Sequence, residues 1–277
     1  MRLARGLISL SLAACTGAPR SPSALRLGTT YTVQQSGALA LLDSLWRGPP
    51  PVATVIGPSG QVLQAAARGD LDLVLTHAPT LEERLLVHPG HAALRCPLVA
   101  SRFAIVGPAA DSAAVVTAGG AAEAFARIAQ RGAGFISRGD SSGTHVRELA
   151  LWAAAGVRPP PAGRRWYTES GTDQAATLHL ADERNAYALA DLPTFTQLTG
   201  LRLRVLFTAD TLLRNPYTLY VIRSANGPSV ARGERFAQWT LGAWRAALLA
   251  RRLPDGSPAF ERPAEGDSCT ALPTSSP

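Results

Sequence analysis

Short apolar runs alternate with helical patterns along most of this chain, and loops rich in Gly, Ser and Thr stand where the runs end. Leu25 to Gly28 predicts a strand that enters Thr29-Thr30-Tyr31-Thr32, and the following helix carries Leu39, Leu42, Leu45 and Trp46 on one face. Val52 to Ile56 predicts a second strand, which ends in Gly57-Pro58-Ser59-Gly60 before a helix from Gln61 to Arg68 that Gly69 stops. Leu71 to Thr76 reads as a buried parallel strand, and Thr80 with Glu83 as a capping box for the next helix. Pro97 to Val106 is one long apolar run. A helix from Ala121 to Arg131 then leads to a strand, Gly134 to Ile136, the loop Ser137 to His145, and a helix from about Thr144 to Ala155. Trp166-Tyr167 enters Glu169-Ser170-Gly171-Thr172 and a helix to about Asp182. Strands follow at Asn185–Leu189, Leu201–Phe207 and Tyr217–Ile222, and Pro228 opens a helix reaching about Ala250.

Alternation of this kind predicts an α/β fold with mostly parallel sheets. Ligands in such folds sit beyond the carboxyl ends of the strands. Four hydroxyl-bearing loops occupy such ends, which is more than helix capping requires.

The loop Ser137 to His145, S-R-G-D-S-S-G-T-H, is the richest of the four. A helix start offers free backbone N–H groups and the positive end of the helix dipole, so it suits an anion. Arg138 adds a guanidinium matched to planar oxyanions, and Ser141, Ser142 and Thr144 add hydroxyls. Across the loops Thr29, Thr30, Thr32, Ser59, Arg138, Ser142 and Thr144 form the expected oxyanion set, with Ser141, Gly171 and Thr172 at its margin. Many neutral dipoles around one cation suit a desolvated oxyanion. With about 1.5–3 kcal/mol per charge-assisted hydrogen bond, roughly six or seven such bonds reach nanomolar affinity, about −12 kcal/mol, after ordering costs. Asp140 is expected to brace Arg138 or to cap the helix from outside the pocket, and His77 and His145 are expected to pack or hydrogen-bond.

Composition narrows the class. The chain has 277 residues, 46% hydrophobic and 17% charged, which predicts a globular body. Its basic residues are all Arg, its formal charge is +7, and no basic run exists, so nucleic acid is not an expected partner. The remaining reading, a secreted Ser hydrolase with His77 or His145 as base, finds no G-x-S-x-G elbow, and the Ser and Thr residues are spread over separate loops. An enzyme is not expected, and neither a cofactor nor a metal site. Arg2 and Arg5 precede an apolar stretch, Gly6 to Leu12, that ends in Ala13-Ala14-Cys15, a signal-peptide layout too short to span a bilayer. Leu12 to Cys15 resembles a bacterial lipobox, which implies lipidation of Cys15 and anchoring to a membrane through the lipid. Cys96 and Cys269 then remain, as one disulfide joining the body to the tail or as two free thiols.

T-T-Y-T-V-Q-Q-S-G-A-L-A-L-L from Thr29, G-P-S-G-Q from Gly57, G-D-L-D-L-V-L-T-H-A-P from Gly69, F-A-I-V-G-P from Phe103 and S-R-G-D-S-S-G-T-H from Ser137 occur in that order. W-Y-T-E-S-G-T and N-P-Y follow. Together they resemble the tungstate-binding proteins of bacterial ABC importers. The resemblance implies a periplasmic-binding-protein type II fold, two α/β lobes joined by two hinge strands with the ligand in the cleft. It also implies capture of a tetrahedral oxyanion, tungstate, for an ABC transporter permease, with molybdate- or phosphate-binding proteins of the same fold as alternatives. A monomer in the periplasm or on the outer face of the cell membrane is expected. The boundaries that follow are a signal peptide at 1–14, a tether at 15–24, lobe 1 at 25–106 and 208–262, lobe 2 at 107–207, and a disordered tail at 263–277, with hinges near Val106 and Phe207. Three departures from the family pattern stand out: Tyr31-Thr32 in the first loop, Arg102 before Phe103, and Gly171 to Ala175, where the family has G-Q-G-M-G.

Overall fold

The computed structural model describes residues 24–158, 163–223 and 227–274. The expected signal peptide, Cys15 and most of the tether lie outside the described residues.

The first lobe begins with β1 (Leu25–Thr30), α1 (Tyr31–Gln35), α2 (Ala38–Leu45), β2 (Val52–Gly57), α3 (Ser59–Ala67), β3 (Leu73–Thr76) and α4 (Pro79–Glu82). β1 lies between β2 and β3, parallel to both. All four residues of β3 are buried because helices cover both faces of the sheet. The capping box expected at Thr80 and Glu83 does not form. The buried carboxylate of Glu82 instead accepts the Ala78 N–H at 2.8 Å and the Thr76 hydroxyl at 2.7 Å, and so anchors the helix from its end.

β4 (Ala92–Gly107) is the long apolar run, and it serves two sheets. Between Ala92 and Arg102 it pairs with a later strand of the first lobe, and from Phe103 to Gly107 it pairs only with strands of the second. The second lobe continues through α5 (Ala121–Arg131), β5 (Phe135–Ser137), α6 (Gly143–Ala154), β6 (Tyr167–Glu169), α7 (Gln174–Glu183), β7 (Ala188–Asp191), α8 (Leu192–Gln197) and β8 (Arg204–Phe207). In α5 the buried residues Ala121, Ala124, Phe125 and Ile128 repeat at helical spacing, and Gly132, at φ +58°, closes the helix. They pack with Phe135, Leu151 and Trp152 in a core separate from that of the first lobe.

The chain returns through β9 (Arg214–Ile222) and ends with α9 (Gly227–Trp239), α10 (Arg245–Ala250) and β10 (Thr270–Ala271). A turn of π-helix, Thr240–Trp244, joins α9 to α10, so the predicted terminal helix is continuous but locally widened. Trp152 and Trp244 are fully buried in the two cores.

Three features differ from expectation. The sheets are mixed, because β9 runs antiparallel to β3 and to β4, and β7 and β8 run antiparallel to β4. The lobes exchange strands at Arg102–Phe103 and at Leu213–Asn215, not at Val106 and Phe207, since Leu213 still packs in the second core while Asn215 pairs with Ser101. The tail is not loose through residue 274: Thr270 and Ala271 pair with Arg95 and Leu94, and Cys269 is disulfide-bonded to Cys96.

At the crossing, Asp191 is fully buried and accepts hydrogen bonds from Ser101 Oγ, from Asn215 Nδ2 at 2.9 Å, from Tyr217 at 3.1 Å and from Thr194. Burial raises its pKa despite these donors. Donors from three elements, β4, α8 and β9, therefore converge on one carboxylate at the end of β7, at the point where the chain passes between lobes.

Candidate functional site

The ends of β1, β3 and β5 meet the first turns of α3 and α6 where the lobes touch. Thr29, Thr30, Thr32, Ser59, Arg138, Ser142 and Thr144 are all buried there, each no more than 1% exposed. Burying so many polar groups requires partners, and those partners sort the hydroxyls into two kinds.

The Thr30 hydroxyl accepts the Val33 N–H at 3.3 Å, and the Ser142 hydroxyl accepts the His145 N–H at 3.2 Å as the cap of α6. Ser59 Oγ accepts the Gly143 N–H at 3.1 Å across the lobe boundary, and Thr32 Oγ1 lies 3.5 Å from a guanidinium nitrogen of Arg138. Each of these four oxygens is an acceptor toward the protein, so its own proton remains to be donated. Thr29 and Thr144 are the reverse. Thr29 donates to the Leu75 carbonyl at 3.1 Å, and Thr144 to Gln174 Oε1 at 3.2 Å. Their protons are committed, and only the backbone N–H of Thr144, in the first turn of α6, remains a donor.

Arg138 is the buried cation of the site. One terminal nitrogen pairs with Asp140, and Nε, also buried, has no protein acceptor. Desolvation lowers the pKa of Arg138 and Asp140 opposes that shift, so the guanidinium stays charged. Asp140 uses its other oxygen to accept the Ser142 N–H at 3.1 Å, and both of its oxygens are thereby engaged. Behind the loop, Ser137 Oγ accepts the Gly139 N–H at 3.2 Å and donates to Glu148 at 2.7 Å. Glu148 also receives Trp152 Nε1 at 3.0 Å and the Tyr167 hydroxyl at 2.9 Å, and burial pushes its pKa up to about 7. The strand end carrying Arg138 is thus tied to the helix whose first turn faces it. Gly139, at φ +61°, also lies so close to Glu169 that a Cβ there would stand 2.7 Å from the Glu169 Cβ.

The lobes are in direct contact. Besides Ser59 with Gly143, the Gly60 N–H reaches the Ser141 carbonyl at 3.3 Å. Ser141 adopts a left-handed backbone, φ +59°, which costs about 1–2 kcal/mol for a residue with a Cβ and aims this carbonyl at α3. Its exposed side chain stands outside the buried set. Gly143 must be glycine, because a Cβ would lie 2.6 Å from both the carbonyl oxygen and Nδ1 of His77.

His77 bridges the site to the hinge. Its Nδ1 lies 3.0 Å from Asn215 Oδ1, and since Asn215 Nδ2 faces Asp191, the assigned tautomer carries its proton on Nδ1. Burial, then the charge of Arg138, pushes the His77 pKa down to about 4, so the ring is neutral at neutral pH. His145 accepts the Ser141 N–H at 3.1 Å and is likewise held below the usual range by burial.

Gly171 is exposed and Thr172 half-buried. The α7 end is occupied by protein: Asp173 caps Ala176 at 3.0 Å, and Gln35, from the opposite lobe, accepts the Ala175 N–H at 3.2 Å. Gln35 and Gln174 escape sequence reading because polar residues in loops and helical patterns look solvated; their contacts arise only when distant elements meet. Arg102 pairs with Glu261 at 3.2 Å, half-exposed and away from the buried set.

Among the described residues no His, Cys, Asp and Glu group suits a metal ion, and no helix is long and apolar enough to cross a membrane.

The sequence model of the PBP superfamily domain matches residues 16–243. A Haloferax volcanii protein, named for anion binding in an ABC transporter, is 36% identical over 76% of this chain. The chain spans 63% of that relative, less than two thirds of its length. A tungstate-binding protein of Peptoclostridium acidaminophilum is 30% identical over 92% of this chain and 94% of its own. The crystal structure of the tungstate ABC transporter from Geobacter sulfurreducens superposes with a TM-score of 0.68 at 34% identity, covering 80% of this chain and 96% of that one.

Proposed function

This chain belongs to the PBP superfamily and, within it, to the family of the tungstate-binding proteins, and from that premise we propose that it captures a tetrahedral dianion, tungstate, between its two lobes and delivers it to an ABC transporter permease. The observation that carries the reading is Arg138 Nε, a buried charged donor without a protein acceptor, in a cleft where Thr30, Thr32, Ser59 and Ser142 also have protons to give. A tetrahedral oxyanion presents four oxygens to such donors and needs no acceptor from the protein. The N–H groups in the first turn of α6 add favourable dipoles without adding charge.

Asp140 weighs against hydrogen phosphate. That anion carries a proton at neutral pH, which a carboxylate must accept, and both Asp140 oxygens are already engaged by Arg138 and the Ser142 N–H. Tungstate and molybdate carry no such proton. Their shared charge and shape make molybdate the close competitor. A lipid anchor at Cys15 and an extracytoplasmic location belong to the same proposal, as does action as a monomer.

Capture proceeds by closure. With the lobes apart, Ser59 and Gly143 separate and the donor set divides, so only the closed state offers every donor to one anion. Titration of the Arg138→Ala variant with tungstate tests the site. Loss of a buried charge-assisted contact should weaken binding at least about a hundredfold, on the order of 3 kcal/mol, and wild-type affinity would remove Arg138 from the site.

A further inference from the structure

Resting on the anion-capture reading, a separate feature of the cleft concerns how long the ligand is held. The N-terminus of α7 faces the first lobe, as a fourth anion loop would, yet its donors are spent on the protein. Asp173 accepts the Ala176 N–H at 3.0 Å and places a carboxylate at the helix end. Burial works against that charge, but the Ala176 N–H, the Gln35 amide and Arg138 together hold its pKa below the usual range. Gln35 is the last residue of α1, in the other lobe. Its amide oxygen accepts the Ala175 N–H at 3.2 Å, and its side chain lies beside Asp173, whose carboxylate it helps to hold charged. One neutral side chain therefore meets an N–H donor on the facing lobe and stands beside a carboxylate there, a setting that suits an amide and not a second carboxylate.

We infer that Gln35 is a latch: it ties the α7 terminus to the first lobe and sets the rate at which the closed cleft releases its anion. Gly171 to Ala175, which departs from the family pattern, then serves lobe closure instead of ligand contact. The contact is made by two protein groups and involves no anion oxygen, so it acts on closure and not on recognition. Its effect falls on release, because the two lobes must already have met for Gln35 to reach Ala175.

The test is stopped-flow binding of tungstate to wild type, Gln35→Ala and Gln35→Glu. Loss of a hydrogen bond of ordinary net strength raises the dissociation rate about three- to tenfold in Gln35→Ala. Gln35→Glu sets a carboxylate against Asp173 and dissociates faster still. Hydrogen exchange at the Ala175 amide, read in ligand-free protein, is faster in both variants than in wild type. Unchanged dissociation in both variants, or unchanged Ala175 exchange, overturns the latch. If wild type binds no tungstate, the capture proposal fails, and Ala175 exchange still decides whether Gln35 holds the lobes together.

Discussion

Arg138 and Asp140 form a buried ion pair inside the cleft, and Asp140 divides its two oxygens between that guanidinium and the N–H of Ser142. The pair gives Arg138 a fixed direction, and each Asp140 oxygen already accepts one hydrogen bond from the protein. Replacing Asp140 by Asn keeps the shape, removes the charge and leaves an NH₂ where Arg138 or Ser142 needs an acceptor. Tungstate affinity is expected to fall about tenfold or more, the scale of a misoriented charged contact, without a gain of phosphate binding. Parallel titrations of the variant with both anions check this, and newly acquired phosphate binding would contradict the assigned role.

The hydroxyls divide by where their protons point. Thr30, Thr32, Ser59 and Ser142 accept from the protein, whereas Thr29 and Thr144 donate to Leu75 and Gln174. Ser59→Ala is therefore expected to weaken anion binding about tenfold or more, losing both an anion donor and the acceptor of Gly143. Thr29→Val is expected to reduce stability by about 1 kcal/mol with a smaller effect on affinity. Denaturant melts beside binding titrations separate the two outcomes, and equal affinity losses would contradict the division.

Glu148 supplies a pH dependence. Its pKa rises from 4.5 unfolded to about 7 folded, chiefly through burial. A carboxyl with a raised folded pKa contributes most stability below the unfolded value and loses it as pH rises through the folded one. Relative to Glu148→Gln, the wild type should lose stability between about pH 4.5 and pH 7, by at most about 3 kcal/mol. His77 acts in the opposite direction, since its lowered pKa costs stability as pH falls from 6.5 toward about 4. The difference between wild type and the Glu148 variant isolates the first effect, and a flat difference would remove it.

The bond between Cys96 and Cys269 closes a span of 173 residues. A chain-entropy argument gives it up to about 5 kcal/mol of stabilisation. Reduction, or replacement of both residues by Ser, is expected to lower the melting temperature with little change in tungstate affinity, because Cys96 packs in the first core and Cys269 against it. A large affinity loss would show that the tail participates in capture.

Much of this architecture is legible in local patterns. The strands and the hydroxyl-bearing loops at their ends follow from apolar runs and turn residues, and the amphipathic spacing of Ala121 to Arg131 fixes its helix. What local patterns do not carry is partnership. β4 is buried along most of its length, and Ser101-Arg102, the polar pair at the change of sheets, reads in sequence as one interruption of an apolar run and not as a passage between lobes. Thr29 and Thr30 are adjacent and chemically alike, yet one donates to a neighbouring strand and the other caps a helix. The two-residue strand at Thr270 and Ala271 lies in a segment whose Pro and Gly content predicts no structure, and a disulfide holds it in place. Gln35 ends a short helix beside a second glutamine, and only the meeting of the lobes distinguishes it.

The most direct test is calorimetric titration of the mature, anion-stripped protein with tungstate, molybdate, sulfate and phosphate. The account predicts tight one-to-one binding of tungstate, with molybdate as its nearest competitor and no heat from phosphate. Binding of phosphate alone, or of none of the four, would contradict it.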